Sequence, residues 1–253
     1  MLKNSRRISL CLIFLAIVIF KADGIYADII ATSNVLQRVL MVKFNNSQGT
    51  AFTIEVDDRQ YLVTAKHLVK KIKNKDKLMI FYDKKWMEIE VKVIEIQEPN
   101  YDVAVLAVDL QLSHVYEVVY GLQGIALSQE ICILGYPWGF NMDFGDMNNR
   151  FPLPFVKGGI LSGMYPKSNM MFIDAYNNKG FSGGPVVAID YNDGKKRRIV
   201  GVISGYKNEQ NYVFNGAIDT GLKAISNSGL LIAYDIRPAI EAIKKNPIGF
   251  IVK

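Results

Sequence analysis

Gly180-Phe181-Ser182-Gly183-Gly184-Pro185 is the stretch on which the reading of this chain turns. Glycines on both sides of a serine let the backbone bend tightly and leave the hydroxyl exposed. A bare serine hydroxyl is a weak nucleophile. It needs a base within hydrogen-bond reach, an acid that orients the base, and backbone N–H donors for the oxyanion that develops on an attacked carbonyl.

The same stretch matches Gly-x-Ser-x-Gly, the nucleophile elbow of α/β-hydrolases, a fold that carries its histidine after the serine. No histidine follows Ser182, and the only two, His67 and His114, precede it. His67 ends the apolar run Tyr61-Leu62-Val63-Thr64-Ala65 and opens a short helical turn. His114 lies within 111–117 without such a setting, so His67 is the candidate general base. Asp102 opens the apolar run Val103-Ala104-Val105-Leu106, 35 residues after His67 and 80 before Ser182, and is the candidate orienting acid. The order His, Asp, Ser is that of the chymotrypsin-type barrels.

Strand-like runs fill the chain at 51–56, 61–64, 78–82, 86–96 and 103–108. They continue at 131–134, 159–164, 171–173, 186–189, 199–204, 213–217 and 230–234. Short runs separated by frequent turn signals predict an all-β sandwich or barrel. Helix is predicted only near 33–38, just after His67, and over 237–245, where Pro238 sits in the first turn and Ile240, Ala242 and Ile243 fall at helical spacing. Residues 112–129 form the expected crossing between two barrels. The irregular stretch 136–157 is long enough to predict a functional rim or lid.

Lys3, Arg6 and Arg7 precede an apolar run over 8–20 and a polar stretch ending near Ala27, the layout of a secretory signal and too short for an ordinary membrane span. The expected division is a signal peptide over 1–27, an N-terminal β-barrel over 28–115, and a C-terminal β-barrel with its helix over 116–253. Removing 1–27 takes away four basic side chains and one acid, so the formal charge falls from +6 to +3 and indicates no nucleic-acid partner. The basic run Lys195-Lys196-Arg197-Arg198 follows the turn signature Asn192-Asp193-Gly194 and reads as a solvated turn and strand start. Cys11 leaves with the signal. Cys132, in Ile131-Cys132-Ile133-Leu134, is then a lone core thiol. Two distant histidines and one buried thiol make no metal-ligand set, and no glycine-rich phosphate loop is present, so no cofactor is expected.

Taken together, the three segments resemble the trypsin-like serine peptidases, and most closely the bacterial HtrA-type (Deg) branch. Gly49-Thr50-Ala51-Phe52, Gly135-Tyr136-Pro137-Trp138-Gly139, Gly159-Ile160-Leu161-Ser162-Gly163, Asp174-Ala175 with Asn178, and Ile199-Val200-Gly201-Val202 fit that branch in order along 36–245. The resemblance implies two six-stranded barrels with a cleft between them. His67 is then base and acid, Asp102 its orienter and Ser182 the nucleophile, with the Gly180 and Ser182 N–H groups as oxyanion hole. Tyr176 falls near the base of the primary pocket, with Val202, Ser204 and Gly205 along its wall. No acid stands there to attract Lys or Arg, which leans toward apolar or small side chains before the cut; Asp174 is the rival that would reverse this. Phe181 stands where digestive trypsins carry the acid that pairs with a new N-terminus, so activation by that ion pair is not expected. No sequence after residue 253 remains for a PDZ module, so regulation and assembly are expected to differ from the HtrA-type enzymes. The implied function is exported endopeptidase on protein or peptide substrates, with no membrane span after signal removal. The alternative is an inactive barrel that binds peptides.

Overall fold

A computed structural model describes residues 31–190 and 193–252; the expected signal segment and its cut after Ala27 lie outside them. Tight two-residue turns fold the first half into hairpins. Asp57 and Asp58 sit at φ 50 and 58 between the paired residues Val56 and Arg59, and Asp83 and Lys84 at φ 44 and 61 between Tyr82 and Lys85. Positive φ at both central residues matches the right-handed twist of the strands they join.

The first sheet contains β1 (Val39–Phe44), β2 (Ser47–Val56), β3 (Arg59–Ala65), β4 (Lys77–Tyr82), β5 (Lys85–Glu90), β6 (Lys92–Ile94) and β7 (Val103–Ala107) in the order β5-β4-β1-β2-β3-β7-β6. Only Val91 separates β5 from β6. Taken as one bent strand, they pair β4 at one end and β7 at the other, so the sheet curls into a six-stranded ring. The second sheet contains β8 (Val119–Tyr120), β9 (Glu130–Gly135), β10 (Phe155–Tyr165), β11 (Met170–Asp174), β12 (Pro185–Asp190), β13 (Asp193–Asn215) and β14 (Ile218–Asp235). Its path β12-β9-β10-β11-β14-β13 closes through a β12–β13 pairing into a second six-stranded ring, with β8 appended in parallel. The two-barrel, all-β architecture is as expected.

Helix α1 (Ser33–Leu36) precedes the first barrel; α2 (Arg237–Lys245) and β15 (Phe250–Ile251) follow the second. Although 237–251 follows the second barrel in sequence, β15 pairs with β3 and α2 packs on β7 and β2 of the first. One core unites the halves: Val39, Phe52, Ile54 and Val105 cluster with Leu134, Val187, Ile199 and Val202 and with Ala239 and Ile243 of α2.

The structure corrects three sequence expectations. After His67 the chain makes i→i−3 turn bonds (Leu68 N–H to Ala65, Val69 N–H to Lys66, both 3.2 Å) and no α-helix. The run 213–217 is no separate strand: Asn215 pairs with Ile218, which makes Gly216-Ala217 a hairpin turn, with Gly216 at φ 61. The 199–204 and 230–234 runs are segments of the much longer β13 and β14.

Candidate active site

Strand register brings the first two site residues together. Ala65 at the end of β3 lies opposite Val103 at the start of β7, so Asp102, just before β7, stands beside the residues that follow β3. The Lys66 N–H donates to the Asp102 carbonyl (3.2 Å) and the His67 N–H to Asp102 Oδ1 (2.8 Å). The His67 ring meets the same carboxylate, Nδ1 to Oδ2 at 2.6 Å. The Ser204 hydroxyl, from β13, donates to Asp102 Oδ2 at 2.5 Å. Burial pushes the Asp102 carboxyl up, but the bonds from His67 and Ser204 and the charge of His67 outweigh it and hold the carboxyl below its ordinary value. With Nδ1 committed to Asp102, a neutral ring presents Nε2 as acceptor, the state a general base needs.

Ser182 joins this set from the other barrel. Its hydroxyl donates to the Ser204 carbonyl at 2.9 Å, so Ser204 touches Asp102 with one group and Ser182 with another. No hydrogen bond joins His67 to Ser182 among the described residues.

The loop around Ser182 is fixed through its carbonyls. Lys179 C=O accepts from the Trp138 N–H (2.8 Å), Gly180 C=O from the Thr50 hydroxyl (2.6 Å), Phe181 C=O from Gly184 N–H (2.9 Å) and Ser182 C=O from Thr50 N–H (2.9 Å). In a trans peptide the N–H points opposite to the carbonyl. The Gly180 and Ser182 N–H groups are thereby turned away from Trp138 and Gly184, and neither has a backbone or side-chain acceptor among the described residues. Two glycines are obligatory here. Gly180 has φ +103 and a Cβ on it would lie 2.0 Å from the Tyr136 carbonyl oxygen; Gly183 has φ +83 and its Cβ would lie 2.0 Å from the Thr50 oxygen.

Two contributors escaped the sequence reading. Thr50, fully buried, holds Gly180, Ser182 and, through its hydroxyl, the Tyr136 N–H (3.2 Å), so one β2 residue of the first barrel clamps the serine loop of the second. It lies within Gly49-Thr50-Ala51-Phe52, where a buried hydroxyl in an apolar strand was the available signal. The other is Lys157 on β10. Its ammonium donates to the Tyr176 carbonyl and to Asn178 Oδ1 (3.0 Å) and lies 5.3 and 5.6 Å from the Tyr176 and Phe181 ring centroids. Burial lowers its pKa from the usual lysine value. A lone cation in Phe155-Val156-Lys157-Gly158-Gly159 was its only trace in the sequence.

The expected pocket residues divide. Tyr176 is 55 % exposed, and a Cβ on Gly205 would meet nothing within 4 Å, so both border open space. Ser204 is bound to Asp102 and Ser182. Val202 does not line a pocket: it is fully buried, between Pro185 of β12 and Tyr234 of β14 in the sheet, and packs into the core. Asp174 ends β11 as an exposed residue. His114 stacks edge-on against Tyr116 at 6.1 Å in the crossing segment, and burial pushes the Cys132 thiol up to about 12. Among the described residues no group of three or more His, Cys, Asp or Glu is arranged to hold a metal ion, and no helix is long and apolar enough to cross a membrane.

A trypsin-like peptidase domain model matches residues 49–202, which include His67, Asp102 and Ser182. The chain belongs to the trypsin-like peptidase family. Its likeness to solved members of this family is one of fold. The inactive form of a mutant of Rv3671c from M. tuberculosis H37Rv superposes with TM-score 0.52 at 20 % identity, over 83 % of this chain and 86 % of that one. The HtrA-type protease AlgW with tripeptide gives 0.52 at 21 % identity over 85 % and 62 %. A serine endoprotease from Yersinia pestis gives 0.53 at 16 % identity over 84 % and 63 %. This trypsin-like chain thus spans less than two thirds of the length of the latter two. No curated protein matches it in sequence.

Proposed function

We propose that this chain is an exported serine endopeptidase that hydrolyses peptide bonds through an acyl-enzyme on Ser182. The single observation that carries the reading is the linkage of His67, Asp102, Ser204 and Ser182 through hydrogen bonds of 2.5–2.9 Å across the two barrels, beside a loop whose Gly180 and Ser182 N–H groups have no acceptor among the described residues. In the mechanism, rotation about the Ser182 Cα–Cβ bond moves the hydroxyl from the Ser204 carbonyl to His67 Nε2. The Ser182 oxygen attacks the scissile carbonyl carbon as its proton passes to Nε2. Asp102 stabilises the imidazolium and holds its tautomer, and the N–H groups of Gly180 and Ser182 receive the oxyanion. Imidazolium then protonates the departing amine, and water repeats the sequence in reverse to release the acid.

The pocket favours apolar or small side chains before the cut. Gly205 leaves its wall open, and the Lys157 ammonium behind Tyr176 and Asn178 repels a basic side chain. Export rests on the basic, apolar and polar order of residues 1–27, which supports a secreted or periplasmic location. Purified chain given a proteome-derived peptide mixture should cut after apolar or small residues, and Ser182→Ala should cut nothing. Dominant cleavage after Lys or Arg would overturn the pocket assignment, and equal cleavage by Ser182→Ala would overturn the reaction.

A further inference from the structure

Lys66-His67-Leu68-Val69-Lys70-Lys71-Ile72-Lys73-Asn74-Lys75-Asp76-Lys77 holds six lysines and one acid in twelve residues, and it contains the candidate general base. All six lysines are exposed. Lys84, Lys92 and Lys196 each pair with a carboxylate at 2.8–3.2 Å; among the described residues none of these six does. Asp76 makes no ion pair with the run, because its Oδ2 accepts from the Lys73 backbone N–H (2.8 Å). Lys77 begins β4 opposite Glu90 of β5, so the uncompensated charge is concentrated over 66–75.

The backbone under these charges is pinned. Leu68 and Val69 are buried, the Lys75 N–H donates to the Val91 carbonyl (2.8 Å), the Val91 N–H to the Asp76 carbonyl (3.1 Å) and the Val93 N–H to Asn74 Oδ1 (2.7 Å). Lys71 and Lys75 both sit at φ 73, a conformation in which glycine or asparagine is more at home. Like charges held on one fixed turn repel, and an anion placed among them relieves that repulsion.

A groove of about 390 Å³ separates this segment from residues 93–97. Lys66, Lys70 and Lys71 stand on one wall and Glu95 on the other, with Val69, Ile72 and Ile96 giving apolar surface between them. The groove also reaches Val103, the residue after Asp102, so it starts beside the His67–Asp102 pair. A concave site with apolar surface and one basic wall fits an extended polypeptide, whose successive side chains point to opposite sides, better than a flat lipid face. Glu95 repels acids on the far wall and so confines them to the lysine side.

We propose that the lysine run over 66–75 is a docking surface for acidic stretches of the polypeptide being cleaved, which it holds beside the His67 end of the site. This rests on Ser182 as nucleophile and names the substrate class: polypeptide with alternating acidic and apolar or small residues near the scissile bond.

The test uses peptides that share one neutral core: the core alone, the core with a Glu-Ala-Glu-Ala-Glu block on either side, and the core with Lys-Ala-Lys-Ala-Lys in the same places. Fluorescence anisotropy with Ser182→Ala measures docking apart from chemistry. An acid-bearing peptide should bind about tenfold more tightly than the core at about 0.05 M salt, as a few exposed ion pairs supply. The gain should collapse at about 1 M salt, where the screening length falls to about 3 Å. Lys70→Gln, Lys71→Gln, Lys73→Gln and Lys75→Gln combined should lose the gain, and the same four changed to Arg should keep it. In the active chain the acidic block should raise kcat/KM by a similar factor, mainly through KM, while the four Gln changes leave cleavage of the neutral core as it is. Equal binding of the acid-bearing peptide and the core, equal binding of the lysine-bearing peptide, or a gain that survives the Gln changes overturns the proposal. So does lysine-dependent sedimentation with phosphatidylglycerol vesicles without preference for the acidic peptide, since the run would then serve a lipid surface. The salt comparison uses Ser182→Ala alone, so it decides even if the fourfold variant fails to fold. If Ser182→Ala prefers the acidic peptide but the wild type cuts no peptide and Ser182 takes no covalent label, the docking surface stands and the nucleophile reading fails.

Discussion

The ammonium of Lys157 binds two points of the segment that leads into Ser182, the Tyr176 carbonyl and the Asn178 side chain, and lies against the ring of Phe181, the residue before Ser182. Phe181 has no charge with which to anchor this loop, so an internal cation supplies the anchoring. The Phe181 N–H closes the turn on the Asn178 carbonyl (3.2 Å), which ties the Lys157 contacts directly to the orientation of the Gly180 N–H between them. Lys157→Met keeps the side-chain length and the contact with the rings and removes the donors. It should lower kcat by about tenfold to a hundredfold, less than loss of a whole oxyanion donor, with KM little changed. Lys157→Arg should restore part of the loss. Steady-state kinetics on a short peptide checks this, and an unchanged kcat would mean that the loop holds its shape without the cation.

At the scale of elements, the crossing segment between the barrels is secured by a buried arginine. Arg38 is fully buried and donates to the carbonyls of Asn34 (2.8 Å), Thr53 (2.7 Å) and Tyr116 (3.0 Å), and to Glu55 Oε2 (3.0 Å). It joins α1, β2 and the crossing in one network. Removing one partner of a buried pair leaves the other uncompensated, so Arg38→Ala should reduce unfolding free energy by about 3 kcal/mol. Denaturant titration measures it, and a loss below about 1 kcal/mol, the worth of an exposed pair, would show that the network is dispensable. The β2–β3 and β4–β5 hairpins were legible because their apolar runs are joined by Asp-Asp and Asp-Lys turns, whereas β1, which turns into β2 through Asn45-Asn46, was not among the strand-like runs. The long β13–β14 hairpin was misread: 213–217 reads as a strand but in fact runs into the Gly216-Ala217 turn, and with no buried face over 206–225 the alternation that signals a strand is missing. The docking of α2 and β15 on the first barrel was equally hidden, since amphipathicity says that a helix packs but not on which strands.

The whole molecule brings His67 and Asp102 from one barrel against the Ser182 loop from the other, with Thr50 and Ser204 as the residues that span the junction. The order of His67, Asp102 and Ser182 and the glycines around the serine were readable because that chemistry restricts residue type. The clamps were not, because a threonine in a strand and a lysine in a glycine-rich run serve many structural ends, and only folding reveals their partners. Val202 illustrates the converse: its place beside the site in sequence did not place its side chain at the surface. The central claim is that Ser182 is an activated nucleophile. A fluorophosphonate probe, followed by intact-mass and peptide mapping, tests it directly. The account predicts a single adduct on Ser182, absent in Ser182→Ala and formed far more slowly in His67→Ala; labelling of Ser182→Ala at the wild-type rate, or no adduct on the wild-type chain, would contradict it.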